Sequence, residues 1–352
     1  MSAVLSTNTP VPSNGSQRSE GVWHAAWRRL RADKVGMFSM AIVGAFILLM
    51  LLAGTGLVAA DWTKEVAVPN AQPSFMGPTP KDATGTIAVP TGPNVDLTDI
   101  DPLAPRYKEW AERAAKFKTT DSVKADTLPF GADRLGRDVL AKAVKGAEVS
   151  ILVGLLAALL ATLIGTVLGA ISGFFGGKIG DLLEWVYNVF TAIPGILLIF
   201  AFAVIFGRGV MSVALILGLA GWTGIYRLIR AEFLKHSVRD YVRSAEAIGA
   251  SQMSRMFKHI LPNVSHVALV QLSLHVVGFI KSEVILSYLG LGVGVDQVSW
   301  GTMLAEAQSE LILGHWWQLV AVTAFMAVFV TAFSLFTDAL RDALDPKLRG
   351  LE

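Results

Sequence analysis

The residues able to do chemistry in this chain are few, and their spacing argues against most of it. Six histidines occur, yet none stands with another at i+3 or i+4, the spacing that sets two imidazoles on one helix face for a metal. Cysteine is absent, which removes disulfides, thiolate metal sites and a thiol nucleophile. A phosphate-binding loop needs Gly, four residues, Gly-Lys and a hydroxyl residue. Gly176-Gly177-Lys178-Ile179 comes nearest, but Ser172 holds the leading glycine's place and Ile179 the hydroxyl's. ATP hydrolysis by this chain alone is not expected. No histidine is spaced to form a dyad with Ser172-Gly173, which argues against an intramembrane enzyme. Two groups of ionisable residues remain. Asp133, Arg134, Arg137 and Asp138 mix both signs, so they can pair with one another in a solvated cap or with a docking partner. Lys281 and Glu283 lie inside an apolar run, where ionisable groups are costly and face protein or a water-filled path. Two residues apart on a helix, they do not face each other. A place on a translocation path, a snorkelling lysine and a structural pair all stay open for them.

The elements that must position these residues are membrane spans. The 352 residues are 53% hydrophobic and 16% charged, against roughly 25% charged in a soluble domain. Apolar runs cover 36–60, 149–172, 185–206, 210–230, 264–289 and 315–337. At about 1.5 Å per residue, each can cross a hydrocarbon core of about 30 Å. The first is too long for a secretory apolar region, despite the small residues Val58-Ala59-Ala60. Gly154, Ala157, Ala161, Gly165 and Gly169 recur along the second run, a pattern that lets helices approach closely in lipid. Pro194-Gly195 predicts a kink or break in the third, and makes Pro194 a further residue of interest for a transport path. Trp316-Trp317 reads as an interfacial anchor of the last.

Between and around the spans, residues 1–22 read as a flexible tail. Residues 23–35, with Trp23, Trp27 and Leu30 at helical spacing beside Arg28, Arg29, Arg31 and Lys34, predict an interfacial helix, aromatic side down. Segment 61–148 is polar and mostly loop-like, helical over Tyr107–Lys118, and sized for a small cap. Residues 149–337 form a five-helix core holding a polar loop at 231–262, and 338–352 form a second tail. Lys and Arg set the orientation. With the N-terminus inside, inner segments hold sixteen of them, the short outer loop between the third and fourth spans only Arg208, and the outer loop 290–314 none. The fold class is an all-α membrane protein with six transmembrane helices and both termini cytoplasmic.

The polar loop carries the clearest signal. Arg239 to Val264 is rich in small residues (Ser244, Ala245, Ala247, Gly249, Ala250, Ser251) that let another surface reach the backbone, and Leu261-Pro262 suits the first turn of a returning helix. Arg243-Ser244-Ala245, three residues, Gly249, nine residues, His259, Ile260 and Leu261-Pro262 resembles the Glu-Ala-Ala…Gly…Ile-x-Leu-Pro signature of ABC importer permeases, with Arg243, Ser244 and His259 as departures. Leu128–Leu140, with Pro-Phe-Gly-Ala-Asp-Arg-Leu-Gly-Arg-Asp, resembles a box of the C-type permeases of dipeptide, oligopeptide or nickel importers, in the binding-protein-dependent transport inner-membrane component family. Leu286–Gly292, Ser299–Leu304 and Asp338–Pro346 are similar to further boxes of that subunit, in the same order. The resemblance implies a type I ABC importer permease in the bacterial inner membrane, translocating dipeptides or oligopeptides. Implied partners are a second permease in a heterodimer, one or two ABC ATPase subunits carrying ATP and Mg, an extracytoplasmic solute-binding protein and membrane lipid. No cofactor, metal or nucleic acid is implied for this chain. Tyr241, Arg243, Ser244, Ala245, Gly249, Leu261 and Pro262 become the expected ATPase-coupling residues, and Asp133, Arg134, Arg137 and Asp138 an expected binding-protein contact. Nickel chelates are the alternative cargo. An ATP-independent channel or secondary transporter is the rival from another class, although no internal repeat accompanies the Pro194-Gly195 break.

Overall fold

The computed structural model describes residues 22–78, 101–116 and 124–344. The expected tail at 1–22 lies outside these, apart from Val22, as does the end of the second tail from 345 onward. The described chain is dominated by helices. α1 (Val22–Ala32) and α2 (Lys34–Gly54) come first, then a short polar segment with β1 (Ala67–Pro73), α3 (Tyr107–Lys116) and β2 (Ala125–Leu128). The bundle continues with α4 (Val139–Phe175), α5 (Gly177–Ala192), α6 (Gly195–Phe206), α7 (Val210–Ser237) and α8 (Asp240–Ala247). One turn, α9 (Gln252–Ser254), a π-helical turn (Arg255–Ile260) and α10 (Leu261–Tyr288) form a single continuous helix, followed by α11 (Trp300–Ile312) and α12 (Trp317–Leu344). Five helices are long and apolar enough to cross a membrane, and the bent pair α5–α6 makes a sixth if counted as one span.

Helix α4 is the axis of the bundle. It starts at Val139, ten residues before the apolar run, because Asp138 caps it by accepting the Leu140 N–H at 2.8 Å. Its first turns carry Lys142, Lys145 and Glu148, which hydropathy alone assigns to a loop. Further along, α4 packs chiefly on α7 and then on α10, with α2 on another side and α12 against α2. The small residues explain how closely. A Cβ on Gly169 would sit 2.7 Å from the Tyr226 carbonyl oxygen, and one on Gly154 2.3 Å from the Ile280 side chain. Backbones in near contact gain dispersion over their full length, which drives helix association where no water is displaced.

Several expectations change at this level. The kink at Pro194-Gly195 is a full break, with α5 and α6 at 91° to one another. Pro194 lacks an N–H and opens α6 from extended backbone. Helix α1 lies on α12, where Ala26 and Leu30 are buried with Ala339, Ala343 and Leu344, while Trp27 is 48% exposed. The short polar segment adds a parallel pair, β1–β2, around buried Ala67, Ala71 and Ala132. The 290–314 loop contains α11, begun by a reciprocal capping box between Ser299 and Thr302. Trp317 is no interfacial anchor: it is buried, and its Nε1–H donates to the Ala132 carbonyl at 2.7 Å.

Candidate functional site

At one end of the bundle, α7 and the π-helical turn hold α8 between them. Arg239 and Asp240 begin α8, and the acidic Asp240 suits the positive end of a helix. Val242 and Ala245, three residues apart, turn inward and are buried. Tyr241, Arg243, Ser244 and Ile248 are exposed, Ile248 at 85%. Ala245, expected among the coupling residues, is buried, with its methyl packed beneath the helix. Gly249 stops α8 with φ +86°. The Gly249 N–H donates to the Glu246 carbonyl and the Ala250 N–H to that of Ala245, the paired bonds of a Schellman cap. A side chain at Gly249 would meet nothing within 4 Å, so backbone conformation alone requires glycine there.

The loop is tied to the bundle on its other side. Ser251 caps α9 by accepting the Ser254 N–H at 3.3 Å. Arg255 pairs with Glu246 at 2.6 Å and lays its guanidinium over the Phe174 ring, 5.7 Å from the centroid, at the end of α4. The hydroxyl of Tyr241 lies 2.8 Å from Nδ1 of His236, and partial burial pushes that hydroxyl's pKa up, so it stays neutral. Leu261 is half-buried, and Pro262, which has no N–H to donate, comes just after the π-helical turn within that continuous helix. The result is a short, stiffly capped helix with an exposed apolar and basic edge, continuous with a membrane-length helix. It offers no nucleophile or acid–base pair.

The opposite pole holds the 131–142 box. Asp133 is fully buried. Its Oδ1 accepts the N–H groups of Leu135 and Arg137, both at 2.9 Å, and its Oδ2 pairs with Arg137 Nε and Lys142 Nζ, both at 2.7 Å. Burial would raise the Asp133 pKa, but Lys142, Arg137 and the amides outweigh it and hold the carboxyl below its usual range. Lys142, also fully buried, reaches Glu306 at 2.5 Å and Gln318 at 3.4 Å. Glu310 accepts the Arg134 N–H at 3.0 Å. Burial and the nearby carboxylates of Asp133 and Glu306 push Glu310 up to about 7 against the pull of that amide and Lys142. This network bolts the start of α4 to α11 and α12. Of the four residues expected to meet a binding protein, Asp133 is enclosed, Arg137 is turned into the network and Asp138 caps α4. Arg134 alone presents an exposed side chain. Sequence reading missed Lys142, Glu306, Glu310 and Gln318. The signal was there in part: Glu306 and Glu310 lie four residues apart in a segment without Lys or Arg, so their counter-charge had to come from elsewhere.

Lys281 and Glu283 separate completely. Glu283 is fully buried, accepting the hydroxyls of Ser150 and Ser287 at 2.6 Å each, while the Ser150 oxygen accepts the Trp300 N–H. It joins α4, α10 and the start of α11, and it lines no path. Lys281 faces outward from the bundle, and Pro194 is exposed at the α5–α6 bend. Among the described residues no three His, Asp or Glu side chains are grouped to hold a metal.

The chain matches the family model described as binding-protein-dependent transport system inner membrane component over residues 165–350, and that of the N-terminal TM domain of oligopeptide transport permease C over residues 21–68. It is similar to the oligopeptide transport system permease protein OppC of Bacillus subtilis (strain 168), 36% identical over 238 residues, covering 66% of this chain and 78% of that one. It is also 28% identical over 346 residues to the dipeptide transport system permease protein DppC of Lactococcus lactis subsp. cremoris (strain MG1363), covering 96% of both. The glutathione transport system permease protein GsiD of Shigella flexneri serotype 5b (strain 8401) is 32% identical over 332 residues, 93% of this chain and 91% of that one. The multi-span helical bundle and these matches together define a membrane permease subunit. The chain belongs to the family of binding-protein-dependent transport system inner membrane components, the multi-pass permeases of ABC transporters.

Proposed function

We propose that this chain is one half of the pore of an importer for dipeptides or oligopeptides, driven by ATPase subunits that seat on α8. The observation that carries the reading is α8 itself: capped by Gly249, exposed through Tyr241, Arg243, Ser244 and Ile248, and locked to α4 by Arg255. Closure of an ATPase pair would displace α8 as a rigid lever, and the π-helical turn would pass the movement into α10. The distribution of Lys and Arg supports six spans with both termini and α8 in the cytoplasm. That orientation puts Arg134 and the ion-paired box on the outer side, where a solute-binding protein would dock. The oligopeptide and dipeptide permeases among the relatives support peptide cargo, and the glutathione permease is consistent with a short, peptide-like solute carrying carboxylates. A sister permease would complete the pore, and ATP with its Mg would sit on the separate ATPase subunits.

The test is purification of the tagged chain from gently solubilised membranes, with mass spectrometry of what accompanies it. A second permease and ATPase subunits are expected, and Ile248→Asp should strip the ATPases while leaving the sister permease. A lone chain that takes up solute without ATP would replace this reading with a channel or secondary transporter.

A further inference from the structure

The membrane-length helix α10 carries an exposed face whose polar groups are Gln271, His275, Lys281 and Tyr288, the last donating its hydroxyl to Gln308 at 2.7 Å. Leu274, Gly278, Lys281, Ile285 and Tyr288 follow one another at alternating steps of four and three, all exposed, with His275 and Gln271 beside them. No carboxylate lies within ion-pair distance of Lys281 or Arg341 among the described residues. The single acid of α10, Glu283, is enclosed on the opposite side. Facing lipid, such a stripe would be costly, since ionisable side chains in spans turn to protein or water. Toward the α8 end the stripe runs into a cleft of about 270 Å³ lined by Leu228, His266, Gln271, Leu274, Arg341 and Leu344. Lys281 and His266 are fifteen residues apart in sequence, about 22 Å along the helix axis, so Lys281 stands at one end of the track and the cleft that holds Arg341 at the other. Gly278, three residues before Lys281, has nothing within 4 Å of where a Cβ would be, and exposed Gly224 of α7 lies beside His275.

We infer that this face of α10 lines the transport path, and that Lys281 and then Arg341 hold the C-terminal carboxylate of the passing peptide. The inference rests on the importer reading above and deepens it. A carboxylate bound by a lysine or arginine in a confined water-filled space forms a charge-assisted hydrogen bond, and two such points let it be handed on without being held too tightly. Glu283, although in the same helix, plays no part in this.

The native absence of cysteine makes the test direct. In the full transporter in nanodiscs, single cysteines at Gln271, His275 and Gly278 are labelled with water-soluble methanethiosulfonates and read on this chain alone. Val204→Cys, on an exposed apolar stretch of α6, is the comparison. The three stripe cysteines should react and the α6 one should not. At Gly278→Cys the anionic ethylsulfonate should be favoured over the trimethylammonium reagent. Lys281→Gln should cut that preference roughly fivefold, and Lys281→Arg should keep it. Millimolar trialanine should slow labelling, and its C-terminal amide should not. Unreactive stripe cysteines, an unchanged reagent preference in Lys281→Gln, or equal protection by the amide would each overturn the inference. Anion-selective labelling that no peptide slows would overturn the peptide reading of the whole chain. ATP-driven peptide uptake with an unlabelled stripe would overturn this inference alone.

Discussion

At the scale of single residues, the structure sorts side chains that look alike in sequence. Asp133 and Arg134 are neighbours, yet one is sealed into a network and the other is exposed. Lys142 is fully buried, touching Asp133, Glu306 and Gln318. Lys142→Met would leave Asp133 and Glu306 with Arg137 as their remaining cation, a loss of up to about 3–5 kcal/mol by analogy with other broken buried pairs, and should appear as a fall in melting temperature of the purified complex. Glu310 makes a pH prediction. Its pKa rises from 4.5 to about 7 on folding, so the folded state binds the extra proton between those values. Stability from this group is greatest at low pH, falls as pH climbs through that window, and by pH 8 is lost, at most about 3 kcal/mol. Melting temperatures from pH 5 to 8 should decline in the native chain and flatten in Glu310→Gln, whose amide oxygen can still accept the Arg134 N–H. Gly249 separates conformation from contact. Gly249→Val forces a left-handed backbone costing about 1–2 kcal/mol and should abolish uptake at normal membrane abundance, whereas Gly249→Asn should retain most of it. Equal uptake by both variants would show that the cap is dispensable for coupling.

At the scale of elements, long apolar helices were legible because membrane length and the lack of charge are local properties. So was the small-residue seam of α4, though not which helix each glycine would meet: Gly154 meets α10, while Gly165, Gly169 and Gly173 meet α7. Gly169→Val should wedge α4 from the Tyr226 backbone and destabilise by about 1–3 kcal/mol, seen as reduced membrane abundance and a lower melting temperature. Gly224→Val, on an exposed position of α7, should be tolerated in the same assay. The extension of α4 back to Val139 was not legible, because its first turns are polar and their charges are satisfied across the bundle. Helix α11 escaped for a similar reason: its Trp300 is buried through contacts with Phe46 and Phe329, far away in sequence.

At the scale of the molecule, the chain reads as two stiff poles joined by α4, α7 and α10. One pole is the capped helix α8, the other the ion-paired cap that clamps α4 to α11 and α12. Two rigid poles would leave motion to the spans between them, as the proposed rocking between two access states requires. Hydrogen exchange on the purified transporter should find the 131–142 backbone among the slowest outside the spans, with α8 slowed further when the ATPases are bound. By itself, the sequence determined the membrane class, most spans, the proline break and the glycine-to-proline spacing of the loop. Each of these depends on composition or on residues within a few turns of one another. Only the tertiary structure decided that Ala245 points inward, that Glu283 is a strut while Lys281 faces outward, and that Lys142 pairs with Glu306. Those outcomes depend on where helices end and cross, and a pair 164 residues apart leaves no periodic trace in either strand of sequence that forms it.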